Sequence, residues 1–298
     1  MRRLFRNIHL WLSLPLGLVI SVICLSGAAL VFERDITRAL QRELYTVTPP
    51  SEGAHPLSPS ILEAGIMTWA ADSLHLTSIK ISDNPHEAAF ASFRETGRRQ
   101  LSVDPYTGEV KGWIKSYPFF QTVKKIHRWL LDPPPSKGQK SVGKVIVGVT
   151  TLVMVVILIS GLIIWIPRNR KALKSRLSIS VTKGWRRFWY DSHVTLGFYC
   201  TIFLLIMALT GLTWSFGWYR DAAYSLFGND TPEQARTLRG LFYALHTGSW
   251  GGIVTKVLYF IAALLGGILP LSGYWLWWKR TKKNRHQRKD QSQKTSIV

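Results

Sequence analysis

The sequence predicts an all-α four-helix transmembrane bundle, made of two repeated helical hairpins, with a small α+β domain inserted between helices 1 and 2. Three observations carry this prediction. Four apolar runs, Leu10–Phe32, Val142–Ile166, Val194–Phe216 and Ile253–Trp278, each reach the ~20 residues needed to cross a hydrocarbon core. The basic residues sort to alternate connections. Runs one and three resemble each other, as do runs two and four.

Charge gives the orientation. The 298 residues hold 38 Lys+Arg against 17 Asp+Glu, a formal charge of +21. A soluble chain this basic points to nucleic acid, but the apolar runs argue for a membrane. Three bases precede the first run, eight lie from Arg168 to Arg187, and eight follow Trp278. The other 19 share the remaining segments with 15 of the 17 acids. The positive-inside rule then puts both termini and the middle basic loop in the cytoplasm, with no nucleic-acid partner required.

In chain order, residues 1–33 hold transmembrane helix 1. The run is too long for a signal h-region and no clean small-residue cleavage site follows, so an uncleaved helix is expected. Residues 34–140 are too long for a loop and imply an outer domain. Within it "SPSILEAGIMTWAADS" reads as a helix with Ser58 and Ser60 as caps, and "LTSIKIS" and "AAFASFRE" as strands around the turn "DNPHE". "RRQLSVDPYTGEVKGW" reads as a hairpin turning at Asp104-Pro105 and Gly108. His55, His75 and His86 show no metal spacing and read as surface histidines. "YPFFQTVKKIHRWLL" is expected to approach the membrane as an amphipathic helix, broken by "DPPPSKGQK". Residues 141–167 are helix 2, 168–192 a basic loop, and 193–217 helix 3. Residues 218–252 form an outer loop whose "DAAYSLFG" and "PEQARTLRGLFYAL" read as interfacial helices. Residues 253–278 are helix 4, and 279–298 a basic tail expected to be disordered. Cys24 and Cys200 lie inside spans and read as structural.

The repeat carries the chemistry. His9 to Gly27 and His193 to Gly211 are both 18 positions, each glycine preceded by a hydroxyl residue. "ISGLIIW" (159–165) matches "LSGYWLW" (271–277). His127 to Gly161 is 34 positions and His246 to Gly273 is 27, the excess falling at "DPPPSKG". His9 and His193 start spans at the inner ends; His127 and His246 precede spans at the outer ends. A pseudo-two-fold axis along the membrane normal brings each pair together. Facing imidazoles suit the two axial positions of one haem iron, so two bis-histidine haem b groups are expected: His9 with His193 on the cytoplasmic side, His127 with His246 on the outer side. These four are also the expected metal ligands. No carboxylate or cysteine stands beside them to complete a non-haem shell, Asp191 being the nearest exception. Eighteen helical residues rise about 27 Å, close to the ~30 Å core. Ser26, Gly27, Ser160, Gly161, Thr210, Gly211, Ser272 and Gly273 either admit a flat cofactor or serve as ordinary small residues at helix contacts. Arg6, Arg186 and Arg187 are candidates for the propionates of the inner haem, Lys124 and Arg128 for those of the outer one, or all are interfacial anchors. The tryptophans form interfacial belts.

With those residues in view, the chain resembles a known family. "LSVDPYTGEVKGW" looks like the closing strands of a PepSY module, and "IHLWLSLPLGLV", "KKIHRWLL", "SHVTLGFY" and "ALHTGSWGG" look like the PepSY-associated transmembrane proteins, up to about residue 280. The resemblance implies a multi-pass protein of the bacterial inner membrane with a PepSY-like periplasmic domain. Family members include dihaem ferric-siderophore reductases, which carry the haem-ligand role to His9, His127, His193 and His246. The implied activity is electron transfer across the membrane to a periplasmic ferric siderophore or other Fe(III) chelate, releasing Fe(II). Hard oxygen chelators hold Fe(II) far less well than Fe(III). The periplasmic domain and the loop with Arg220, Arg236 and Arg239 are expected to attract the chelate. No Gly-rich nucleotide fingerprint is present, so the donor is a membrane quinol or a separate protein. Two other readings stay open: a non-enzymatic PepSY regulator binding a periplasmic protein, and a quinol-linked cytochrome with a protein acceptor.

Overall fold

A computed structural model describes residues 1–70, 73–97, 99–136, 139–228 and 231–295, with side chains described to residue 282. It divides into two compact units, residues 32–121 and the remainder.

The first unit is the bundle. Four of its helices, α1 (Arg2–Val31), α6 (Val142–Trp165), α8 (Trp185–Ser215) and α11 (Gly252–Thr295), are long and apolar enough to cross a membrane. Helix α1 packs on α6 and α11, and α8 packs on the same two, so α1 and α8 face each other across one diagonal of a square. Ile20, Cys24, Met154, Ile157, Cys200, Leu204 and Ala262 fill the centre. Close approach comes from small residues: a Cβ at Gly266 would lie 2.7 Å from Leu204 Cδ2. Helix α1 is opened just after Pro15. The Tyr274 hydroxyl donates to Leu14 O at 2.6 Å and accepts from Leu18 N at 3.2 Å, standing in for a bond of the helix ladder.

Short helices complete the connections. Helix α5 (Pro118–Trp129) precedes α6, and the chain leaves it through Leu130 and Leu131 at φ 50° and 68°. Helix α7 (Arg170–Arg176) lies between α6 and α8 and is N-capped by Asn169, whose side chain accepts from Ala172 N. Helices α9 (Gly217–Ser225) and α10 (Pro232–Thr247) form the next connection. A capping box between Thr231 and Gln234 starts α10, and Gly248 at φ 72° ends it.

Several boundaries differ from expectation. The α8 helix starts at Trp185, so His193 stands two turns inside it rather than at its beginning. The basic loop contains α7. The tail after Lys279 was expected to be disordered, yet its backbone continues as helix through Thr295. Lys, Arg and Gln are good helix formers, and no Gly or Pro interrupts them.

The second unit is the α+β domain. Its sheet is antiparallel in the order β1 (Leu76–Lys80), β2 (Ala89–Phe93), β3 (Gln100–Val103), β4 (Val110–Trp113). Ala91 pairs with Leu101, and Leu101 with Trp113. Ala89, Ala91 and Phe93 alternate inward, as a half-covered strand requires. Ala91, Phe93, Leu101 and Val103 form one core with Leu62 and Ile66 of α4 (Pro59–Trp69). The hairpin turns as expected: Asp104 Oδ1 accepts from Tyr106 N at 2.8 Å, and Gly108 takes φ 75°. Ser58 occupies the N-cap of α4, but its hydroxyl meets Ser60 at 3.0 Å instead of capping. Two short helices unseen in the sequence, α2 (Glu33–Leu40) and α3 (Arg42–Tyr45), lead into the domain. His75 lies on the surface, 2.7 Å from Glu95. Donation by His75 N–H lowers the Glu95 carboxyl below its usual range.

Candidate functional site

Two histidine pairs lie inside the bundle unit. The His9 and His193 rings stand 6.4 Å apart between centroids at an interplanar angle of 88°. Those of His127 and His246 stand 6.2 Å apart at 54°. The first pair sits on the long helices α1 and α8; the second sits on α5 and α10.

Each histidine is anchored on a neighbouring span by the same three-part device. His9 Nδ1 lies 3.0 Å from Ile157 O and 3.3 Å from Ser160 Oγ. His127 Nδ1 lies 2.8 Å from Ile23 O and 3.3 Å from Ser26 Oγ. His246 Nδ1 lies 2.9 Å from Met207 O and 3.1 Å from Thr210 Oγ1. His193 Nδ1 lies 2.8 Å from Ser272 Oγ, and its ring also bonds the Leu269 backbone. In every case the carbonyl belongs to the residue three before the hydroxyl residue, and a glycine follows directly. A Cβ on that glycine would press the ring at three sites, 3.0 Å from His127 Cε1 at Gly27, 3.1 Å from His9 at Gly161 and 3.1 Å from His246 at Gly211, and would make ordinary contact with His193 at 3.5 Å at Gly273.

The chemistry follows from the acceptors. A carbonyl takes only donors, so Nδ1 carries the proton where it faces one. Nε2, on the far side of the ring from the anchoring helix, keeps its lone pair. This is the outer-shell pattern that orients metal-bound imidazoles. Burial lowers the basicity of His127 and His246, opposed by their bonds to Ile23 O and Met207 O, which further suits a neutral ligand. A metal–nitrogen bond of about 2 Å plus a ring radius of about 1.1 Å places opposed axial imidazoles about 6.2 Å apart between centroids. Both pairs have that spacing. Among the described residues no group of three or more His, Cys, Asp or Glu is gathered for a metal. The sites therefore offer two protein ligands each.

The basic candidates have mixed placements. Arg6 lies exposed on α1, three positions before His9. Arg128 stacks 4.7 Å over the Trp129 ring. Arg187 is engaged with buried Asp191 at 2.7 Å and with Ser175 Oγ at 3.1 Å. Asp191 is thus spent on Arg187 and on Ser180 N at 3.3 Å. The small residues serve the histidines, a role left open by the sequence. The carbonyls of Ile23, Ile157, Met207 and Leu269 were missed, although their fixed offset before Ser or Thr in "ICLS", "ILIS", "MALT" and "LPLS" marked them.

Four candidate spans and two half-buried histidine pairs define a multi-pass membrane protein. The PepSY-associated TM region family matches residues 6–238 and 225–280, and the chain belongs to that family. No curated protein matches it.

Proposed function

We propose that the protein carries electrons across a bacterial inner membrane to a ferric chelate, with two haem b groups held by His9 and His193 and by His127 and His246. The observation that carries this reading is the fourfold anchoring of Nδ1, which leaves the Nε2 lone pairs of two rings at each pair, with centroids 6.4 and 6.2 Å apart. Bound there, each haem supplies reversible one-electron exchange between Fe(III) and Fe(II).

The protein's own residues hold the ligands still. The carbonyls of Ile23, Ile157 and Met207 fix the imidazole tautomers, and the Ser and Thr hydroxyls brace the rings. The glycines leave room for the rings against the helix. Two imidazoles held still in this way would hold a haem with little reorganisation on one-electron exchange. Gly27 meets His127, so the 18 residues from His9 to Gly27 separate the two pairs by about 27 Å along α1. The apolar layer of Ile20, Met154, Ile157 and Leu204 between them keeps water from that path.

Charge supports the direction. The basic segments support a cytoplasmic side for the His9–His193 pair, within reach of a quinol or a protein donor, and a periplasmic side for the His127–His246 pair. A ferric siderophore or other Fe(III) chelate accepts one electron there and releases Fe(II). The test is haem stoichiometry on purified protein with a reduced-minus-oxidised visible spectrum. Two low-spin, six-coordinate haems per chain are expected, followed by ferric-chelate reduction. A colourless protein from haem-replete cells would overturn the reading and favour a regulator with a protein partner.

A further inference from the structure

The segment joining α6 to α8 is a folded structure with a basic crevice. Arg176 turns back and donates to the end of α6, at Ile164 O at 2.9 Å and at Trp165 O. Thr195 Oγ1 of α8 donates to Arg176 O at 3.1 Å, and Tyr199 OH donates to Leu177 O at 3.4 Å. The segment is thereby pinned to both spans. Between α7 and the start of α8 lies a concavity of about 480 Å³. Asp191 and Arg187 form its floor, where the acid, 3% exposed, is already paired. Arg170, Lys171, Lys174 and Lys183 stand around it, joined by the hydroxyls of three serines. No other acid lines it.

The crevice borders apolar side chains that face outward. Val181 is 76% and Trp185 64% exposed, and Ile166 and Leu173 are exposed as well. Ile166 and Trp185 stand at the ends of two spans, and Leu173 and Val181 on the segment that joins them, which in a membrane-spanning chain is the level of the bilayer surface. A free anion uses the charges and hydroxyls but has no use for the apolar border. A phospholipid with an anionic headgroup matches both.

We propose that this crevice is a binding site for an anionic phospholipid, the headgroup phosphate lying among Lys171, Lys174, Lys183 and the serine hydroxyls, and the acyl chains beside Val181 and Trp185. The site stands independently of any cofactor at the histidine pairs. Its consequence is a fixed setting of the α7 segment, and through Asp191 of the α8 turn that carries His193.

The experiment is a lipid titration of the full chain in detergent, read by native mass spectrometry, with phosphatidylglycerol against phosphatidylcholine. Phosphatidylglycerol is expected to bind preferentially. Lys171→Gln/Lys174→Gln/Lys183→Gln is expected to weaken it about a hundred-fold, from about five-fold per charge near a membrane surface. A control with the same charge loss outside the crevice, Arg3→Gln/Lys279→Gln/Arg280→Gln, is expected to keep the preference. Ser178→Glu, at an exposed crevice position, is expected to abolish it without removing any base. Equal binding of the two lipids, equal loss in the crevice and control triples, or displacement by inorganic phosphate alone would overturn the proposal.

Discussion

The two histidine pairs share one anchoring device but rest on different supports. His9 and His193 are built into continuous helices that cross the bundle, seven and eight residues from their starts. His127 and His246 ride on short helices that reach their spans through left-handed turns at Leu130, Leu131 and Gly248. The ring planes differ too, 88° against 54°. A helix running through the site sets a ligand's position by its own backbone ladder. A helix joined by a turn sets it by the turn. The His127–His246 pair therefore depends on local backbone chemistry that the other pair does not need.

The comparison can be broken most severely at the ligands. His246→Ala is expected to lower haem stoichiometry from two to one while sparing the His9–His193 site, and His193→Ala to do the reverse. Loss of both haems in each single variant would mean that the pairs are not independent. Next comes Gly248→Val. A Cβ there would lie 2.6 Å from Tyr259 Cγ, and φ is 72°. The strain and clash are expected to cost about 3 kcal/mol, with thermal melting releasing the haem at His127–His246 first. Asp191→Asn removes the carboxylate that holds Arg187 and Ser180 N. It is expected to cost about 2 kcal/mol in chemical denaturation, discounted because Arg187 is partly exposed. Its spectroscopic effect should fall on the His9–His193 site alone.

Smaller effects sharpen the comparison. Gly27→Ala puts a methyl 3.0 Å from His127 Cε1, whereas Gly273→Ala puts one at an ordinary 3.5 Å from His193 Cε1. The first is expected to cost about 1 kcal/mol and to shift the low-spin electron paramagnetic resonance signal of one haem; the second should shift neither. Leu131→Gly relieves a residue at φ 68° that is 58% exposed. A gain of about 0.5 kcal/mol in thermal stability is expected, with the His9–His193 signal unchanged.

Much of this was legible in the chain. The four spans followed from run length, the hairpin from Asp104 and Gly108, and the equivalence of the histidines from the 18-residue repeat. The pairing of His9 with His193 and of His127 with His246 followed from the repeat plus alternating topology. Other features were hidden. The serine–glycine motif was visible, but it read equally as helix packing. Arg187 read either as a propionate contact or as an interfacial anchor, and its ion pair with Asp191, four residues on, went unread. Tyr274 carried no signal in the sequence, yet it bridges the opened turn of α1.

The sequence by itself determined the number of spans and the recurrence of His with Ser/Thr-Gly, because hydropathy and spacing are sums along one chain. Only the tertiary structure decided that each histidine rests on the glycine and carbonyl of a different helix, so that Gly27 serves His127 and Gly161 serves His9. That choice depends on which helix faces meet across the bundle. Lateral packing sets those faces, and no periodicity within a single span records it.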